Sequence, residues 1–189
     1  ERIAQYTRLL ERALHDTPSA SLPSLVRTYV DGAVLDPVNT TGAGLLVGRH
    51  MLAHLATQLA AAHIPANILC AIVSDTLATC EASSIMGDDE LGPWRVLLAE
   101  QYASLSRWRD AAQALQSITP HAARRIPQLS FAQLCVRVVE LWLHDLPPHV
   151  AEAEQAIKRA NSAILDERDN KALVHELWSY HARVLAIQH

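Results

Sequence analysis

Between Trp94 and Ile118 the apolar positions fall into two stripes at helical spacing. Leu97, Leu98, Gln101, Tyr102 and Leu105 share one helical face, and Trp108, Ala111, Ala112 and Leu115 share another. The polar stretch Ser104–Arg107 between them is short and has no Gly or Pro, so the two helices should be antiparallel neighbours. A large aromatic beside small alanines makes a knob and a shallow groove, and such a hairpin cannot bury its face alone.

The same patterning predicts helices along the rest of the chain. Residues 1–15 carry Ile3, Tyr6, Leu10 and Ala13 or Leu14 on one face, and Pro18 and Pro23 bracket the turn that follows. Leu22–Val34 forms the second helix, which Asp36-Pro37 stops. Thr40 or Thr41 is expected to cap a third helix over 43–62. Pro65 opens a fourth, which fades at Glu81–Ser84. The stretch 87–93, with Gly87, Asp88, Asp89, Gly92 and Pro93, reads as a solvated loop, and Pro93 restarts helix. Thr119–Pro127 reads as another loop. Helices over 129–144, 148–164 and 167–187 follow.

Leu98 and Val138 are 40 residues apart, as are Tyr102 and Trp142. Ala112 and Ala153 are 41 apart, as are Leu115 and Ala156, so the hairpin recurs with a period near 40. The packing core of this repeat is expected at Leu98, Tyr102, Trp108, Ala112, Leu115, Val138, Trp142, Ala153 and Ile157. On that reading Trp108→Ala costs about 3–5 kcal/mol through the cavity it leaves. Helices without strand signal give an all-α fold, a right-handed superhelical stack of antiparallel helix hairpins. The expected division is an N-terminal arm over 1–86, a loop over 87–93 and the repeats over 94–189.

Composition narrows the function more than the fold. Half of the 189 residues are hydrophobic, enough for a real core. A net charge of -4 and a pI near 6.2 give no general attraction to nucleic acid or to an anionic membrane. No apolar run reaches the roughly 18–20 residues of a membrane span. Lys158 and Lys171 are the only lysines among 16 basic residues, so arginine, with its planar paired contacts, carries the positive charge. Cys70, Cys80 and Cys135 match no zinc or redox spacing and read as reduced, buried thiols of the cytosol or nucleus. Glu1 in place of Met, and an end in the middle of a helical pattern, mark the chain as an expected fragment.

Few constellations carry chemistry. His50 and His54 stand at i, i+4, where two imidazoles can share a metal, but two ligands do not make a site and Met51 stands where a zincin has glutamate. His63, His121, His144, His149 and His175 read as structural. Gly42, Gly44 and Gly48 miss the dinucleotide-loop spacing and follow no strand. Ser74-Asp75-Thr76 lies within a helix and has no nucleophile elbow. No catalytic residue, cofactor or metal is assigned. Arg124 and Arg125, with the acidic run Asp88, Asp89 and Glu90, are the candidates for a protein interface.

The repeat pair RWRDAAQALQSI and VRVVELWLHDLPPHVAEAEQAIKRA, the opening YTRLLERAL, and LVRTYVDGAV together resemble the subunit 4 family of the constitutive photomorphogenesis 9 signalosome. The likeness is strongest from Trp94 to Ile164. Between Pro37 and Glu90 the alanine and glycine content departs from the family's more polar pattern. The resemblance implies a tetratricopeptide-like arm of a PCI-family subunit, with the PCI domain, which joins the subunits, absent from this stretch. It implies a non-catalytic scaffold and substrate sensor in the cytoplasm and nucleus. Its partners would be the other signalosome subunits and the cullin and RING end of a cullin-RING ubiquitin ligase, from which the complex removes a ubiquitin-like modifier. The His-x-His of that complex's zinc protease occurs nowhere here. A lid subunit of the proteasome regulatory particle has the same fold and is the alternative within the class. A small helical metal-binding or enzymatic domain using His50 and His54 is the alternative outside it.

Overall fold

The computed structural model describes residues 2–126, 129–165 and 170–188, and among these there are helices and no strand. The first part contains α1 (Arg2–Asp16), α2 (Leu22–Tyr29), the one-turn α3 (Pro37–Thr40), α4 (Leu45–Ala61) and α5 (Ala66–Ser83). The second contains α6 (Asp88–Ser104), α7 (Trp108–Gln116), the one-turn α8 (Pro120–Ala123), α9 (Phe131–His144), α10 (Val150–Ile164) and α11 (Lys171–Gln188). Two expected boundaries, Pro127 and the start of the last helix at 167–169, lie outside the described residues.

The expected helix over 22–34 is continuous but changes pitch. After Tyr29 it widens into a π-helical turn, Val30–Val34, in which Leu35 N–H donates to the Val30 carbonyl at 2.8 Å. The turn buries Val30, Ala33 and Val34 together, and the buried Asn39 amide donates to the Ala33 carbonyl at 2.9 Å.

The expected threonine caps of the third helix are corrected. A one-turn helix capped by Asp36, whose Oδ1 accepts from Val38 N–H at 2.7 Å, comes first. The Thr40 and Thr41 hydroxyls therefore donate backward, to the Asp36 and Pro37 carbonyls. The start of α4 then lies directly on this turn. A Cβ at Gly44 would meet the Val38 carbonyl oxygen at 1.9 Å, and one at Gly48 would meet the Val34 carbonyl oxygen at 2.7 Å. These glycines serve close backbone approach.

The expected loop over 87–93 is helix. Gly87 is the N-cap, its N–H donates to Glu90 Oε2 at 3.0 Å, and Asp88, Asp89 and Glu90 place carboxylates in the first turn, where the helix dipole favours them. Pro93 lies inside α6 and removes the donor that would bond the Asp89 carbonyl. Leu91 and Trp94 hold that turn in the core. The turn after α6 needs no glycine because Ser106 takes φ 57, letting Arg107 N–H bond the Tyr102 carbonyl at 2.8 Å.

Part of the expected loop over 119–127 is likewise helix, α8. Thr119 Oγ1 accepts from Ala122 N–H at 3.2 Å, and Ala122, Ala123 and Ile126 are buried. Ser130 and Gln133 cap each other, which starts α9 at Phe131.

Two apolar cores result, and α6 is their common wall. Leu91, Trp94, Leu97 and Leu98 enter the core built by α1, α2, α4 and α5. Ala99 enters the core built by α7, α9, α10 and α11, and Tyr102 and Ala114 touch both. Of the expected repeat core, Leu98, Ala112, Leu115, Val138, Trp142, Ala153 and Ile157 are buried, while Tyr102 and Trp108 are half-buried. Trp108 stacks on His144 with ring centres 5.1 Å apart. Its expected cavity cost is therefore revised downward.

Candidate interaction surface

The five interface candidates meet at one corner, where α4, α6 and α8 converge. Glu90, only 7% exposed, lies 3.1 Å from the Arg49 guanidinium of α4 in ion-pair geometry and accepts from Arg125 Nη1 at 3.1 Å. Arg125 Nε is 3.5 Å from Asp89, whose other oxygen lies 2.6 Å from His121 Nδ1. Asp88 pairs with Arg95 at 3.2 Å, and Arg95 also reaches Glu81 of α5 at 3.1 Å. Asp89, Glu90 and Arg125 thus bind separate elements of this chain to one another, while Asp88 pairs within α6. Arg124 is exposed, and among the described residues its side chain makes no hydrogen bond or ion pair.

Arginine does the same work elsewhere. Arg159 of α10 donates to the Gln116 and Ile118 carbonyls at the end of α7, both at 2.6 Å, and its guanidinium lies 5.0 Å from the Phe131 ring centre. These carbonyls have no helical donor, and a planar cation with paired N–H groups suits them. Arg183 of α11 donates to the Leu143 carbonyl at the end of α9 at 3.1 Å. The sequence reading assigned neither residue a role. The signal available was an arginine about 40 residues beyond a helix end.

The remaining chemical constellations are engaged in packing. His54 Nε2 is buried 3.9 Å from Glu11 of α1, and His50 is exposed. Among the described residues no three His, Cys, Asp or Glu side chains are grouped to hold a metal ion. Ser74 Oγ lies 3.3 Å from the Tyr102 hydroxyl, Asp75 pairs with Arg27 at 2.8 Å, and buried Thr76 donates to the Ile72 carbonyl. His149 packs edge-on to Trp142 and pairs with Asp145 at 2.9 Å. The three cysteines are buried and unpaired, and burial pushes the Cys80 and Cys135 thiols up to about 11. No described helix is long and apolar enough to cross a membrane.

What the described residues offer a partner is exposed surface. Leu9, Leu46, Leu146 and Trp178 are exposed apolar side chains on separate elements, and the charged corner adds Arg124 and the outer edges of Arg125 and His121. No family model matches the sequence. The chain is 29% identical over 174 residues to COP9 signalosome complex subunit 4 of Caenorhabditis elegans, which covers 86% of this chain and 42% of that protein. The chain therefore spans about two fifths of the length of the curated relative it matches. Over most of its helical stack this chain is similar to a subunit of the COP9 signalosome.

Proposed function

We propose that the chain is a non-catalytic scaffold segment of a signalosome subunit, acting in cytoplasm and nucleus, and that it contacts the cullin and RING end of a cullin-RING ubiquitin ligase. The observation that carries this is the likeness to subunit 4 along 86% of the chain. The use of its charged side chains supports it, since Glu90, Asp89, Arg125 and Arg159 are spent on joining helices, as a stiff arm requires. Exposed Arg124 is the residue best placed for an acidic partner surface.

The test is retention on the immobilised chain of a purified cullin-RING ligase carrying its ubiquitin-like modifier, in parallel with purified proteasome lid. Retention of the ligase alone, with the modifier still attached, is the expected result. Retention of the lid instead, or release of the modifier by the chain on its own, would overturn the reading.

A further inference from the structure

A cleft of about 310 Å³ opens between α6, α9 and α11, the first helices of three successive units. Its volume is at the lower end of the ~300–1,000 Å³ of small-molecule and cofactor sites, enough for a few side chains of a peptide. The repeat register explains why it is open. With Leu98 and Val138 equivalent, Ala99 and Ala103 of α6 stand where α9 has Val139 and Leu143. Those larger side chains are fully buried in their own unit. In the preceding unit the small ones leave space over a floor of Val96, Ala99, Ala103 and Leu141.

The charged side chains lining this apolar space are three carboxylates, Glu100, Glu140 and Glu176, and one guanidinium, Arg137. Glu100 and Glu140 occupy the same repeat position, 40 residues apart. Arg137 is bound to Glu140, which also has His144 Nε2 at 3.5 Å, and Glu176 accepts from the Tyr180 hydroxyl at 3.3 Å. Among the described residues Glu100 has no ion-pair partner. Burial raises its carboxyl against the pull of Arg137. The Tyr180 hydroxyl, pushed up to about 12 by burial and then by Glu140 and Glu176, reports the negative field on that side of the cleft.

We propose that this cleft binds a short peptide segment in which a lysine or arginine stands beside an apolar side chain. The apolar side chain lies over the floor that the two alanines leave free, and the cation sits between Glu100 and Glu140. Glu100 is exposed, and the lining carries three carboxylates to one guanidinium, so an incoming cation is favoured there over an anion. The inference rests on charge complementarity and on the register, and stands apart from the signalosome reading.

Fluorescence anisotropy of the whole chain with a fluorescein-labelled peptide of arginine and leucine spaced by serines tests it, against a peptide with glutamate in place of arginine. The arginine peptide should bind about tenfold more tightly or better, and less so as salt rises. The variant Ala99→Val/Ala103→Leu fills the cleft with the side chains the next unit already carries, so it should keep its melting temperature and lose the peptide. Glu100→Gln should weaken binding without destabilising the fold. Equal affinity for both peptides, no binding to either, or binding that survives the filled cleft would each overturn the proposal.

Discussion

Trp94 is the largest side chain that solvent does not reach, and Trp108, only half-buried, lies against an imidazole at the hairpin end. Trp94→Ala should therefore cost about 3–5 kcal/mol in urea unfolding. Trp108→Ala should cost less, about 1–3 kcal/mol, because part of its surface is wet already. Equal losses would contradict this placement. The sequence pattern marked Trp108 because it opens a clear stripe. It passed over Trp94 because Gly92 and Pro93 beside it read as loop chemistry. Gly48→Ala is the second test at this scale. The added methyl would press on two backbone carbonyls that cannot swing aside, so a loss of about 1–3 kcal/mol is expected. The cysteines give a pH test. Their folded values, about 11 for Cys80 and Cys135, stand above the ordinary 9.0, so the folded state holds protons that the unfolded state releases. Stability should hold below pH 9 and fall from there to pH 11, and native protein at neutral pH should resist iodoacetamide at both thiols until it unfolds.

Among the elements, the long helices were legible because their apolar spacing repeats over several turns, as in α7, α9 and α10. Their ends were not, because ends depend on which side chains find a donor. The start of α6 shows this. Proline is a frequent first residue of a helix, which favoured a start at Pro93, but the carboxylate of Glu90 caps Gly87 and two arginines neutralise it from other helices. Those arginines, Arg49 and Arg125, lie 41 and 35 positions away from Glu90, beyond any local pattern. The same distance hid the internal ion pairs of Asp89, Glu90 and Arg125, which stood out in the sequence for being charged and adjacent. Glu90→Ala removes charged hydrogen bonds to a guanidinium and a backbone amide, and should cost about 1.5–3 kcal/mol. A melting temperature unchanged by it would mean that this corner does not join the helices.

For the whole molecule, the 40-residue register was readable because it repeats side-chain size as well as polarity. Tyr102 and Trp142 stand at one position, and Ala112 and Ala153 differ by a single residue from the same spacing. How the N-terminal helices join the repeats was not readable, since the joint is the shared helix α6. With both cores packed on that helix, equilibrium unfolding in urea should be one cooperative step. Far-ultraviolet circular dichroism and tryptophan fluorescence should then give coincident curves. Two separated transitions would mean that the cores are independent.

We propose that this stack is a signalosome-type scaffold that meets a cullin-RING ligase through the charged corner that carries exposed Arg124. The most direct measurement is the equilibrium affinity of the chain for a purified, modifier-bearing cullin-RING ligase, compared between the natural sequence and Arg124→Glu. Among the described residues Arg124 takes part in no ion pair, so the substitution should leave the melting temperature unchanged and weaken binding about tenfold. Absence of binding by the natural sequence, or an affinity indifferent to the reversed charge, would contradict the account.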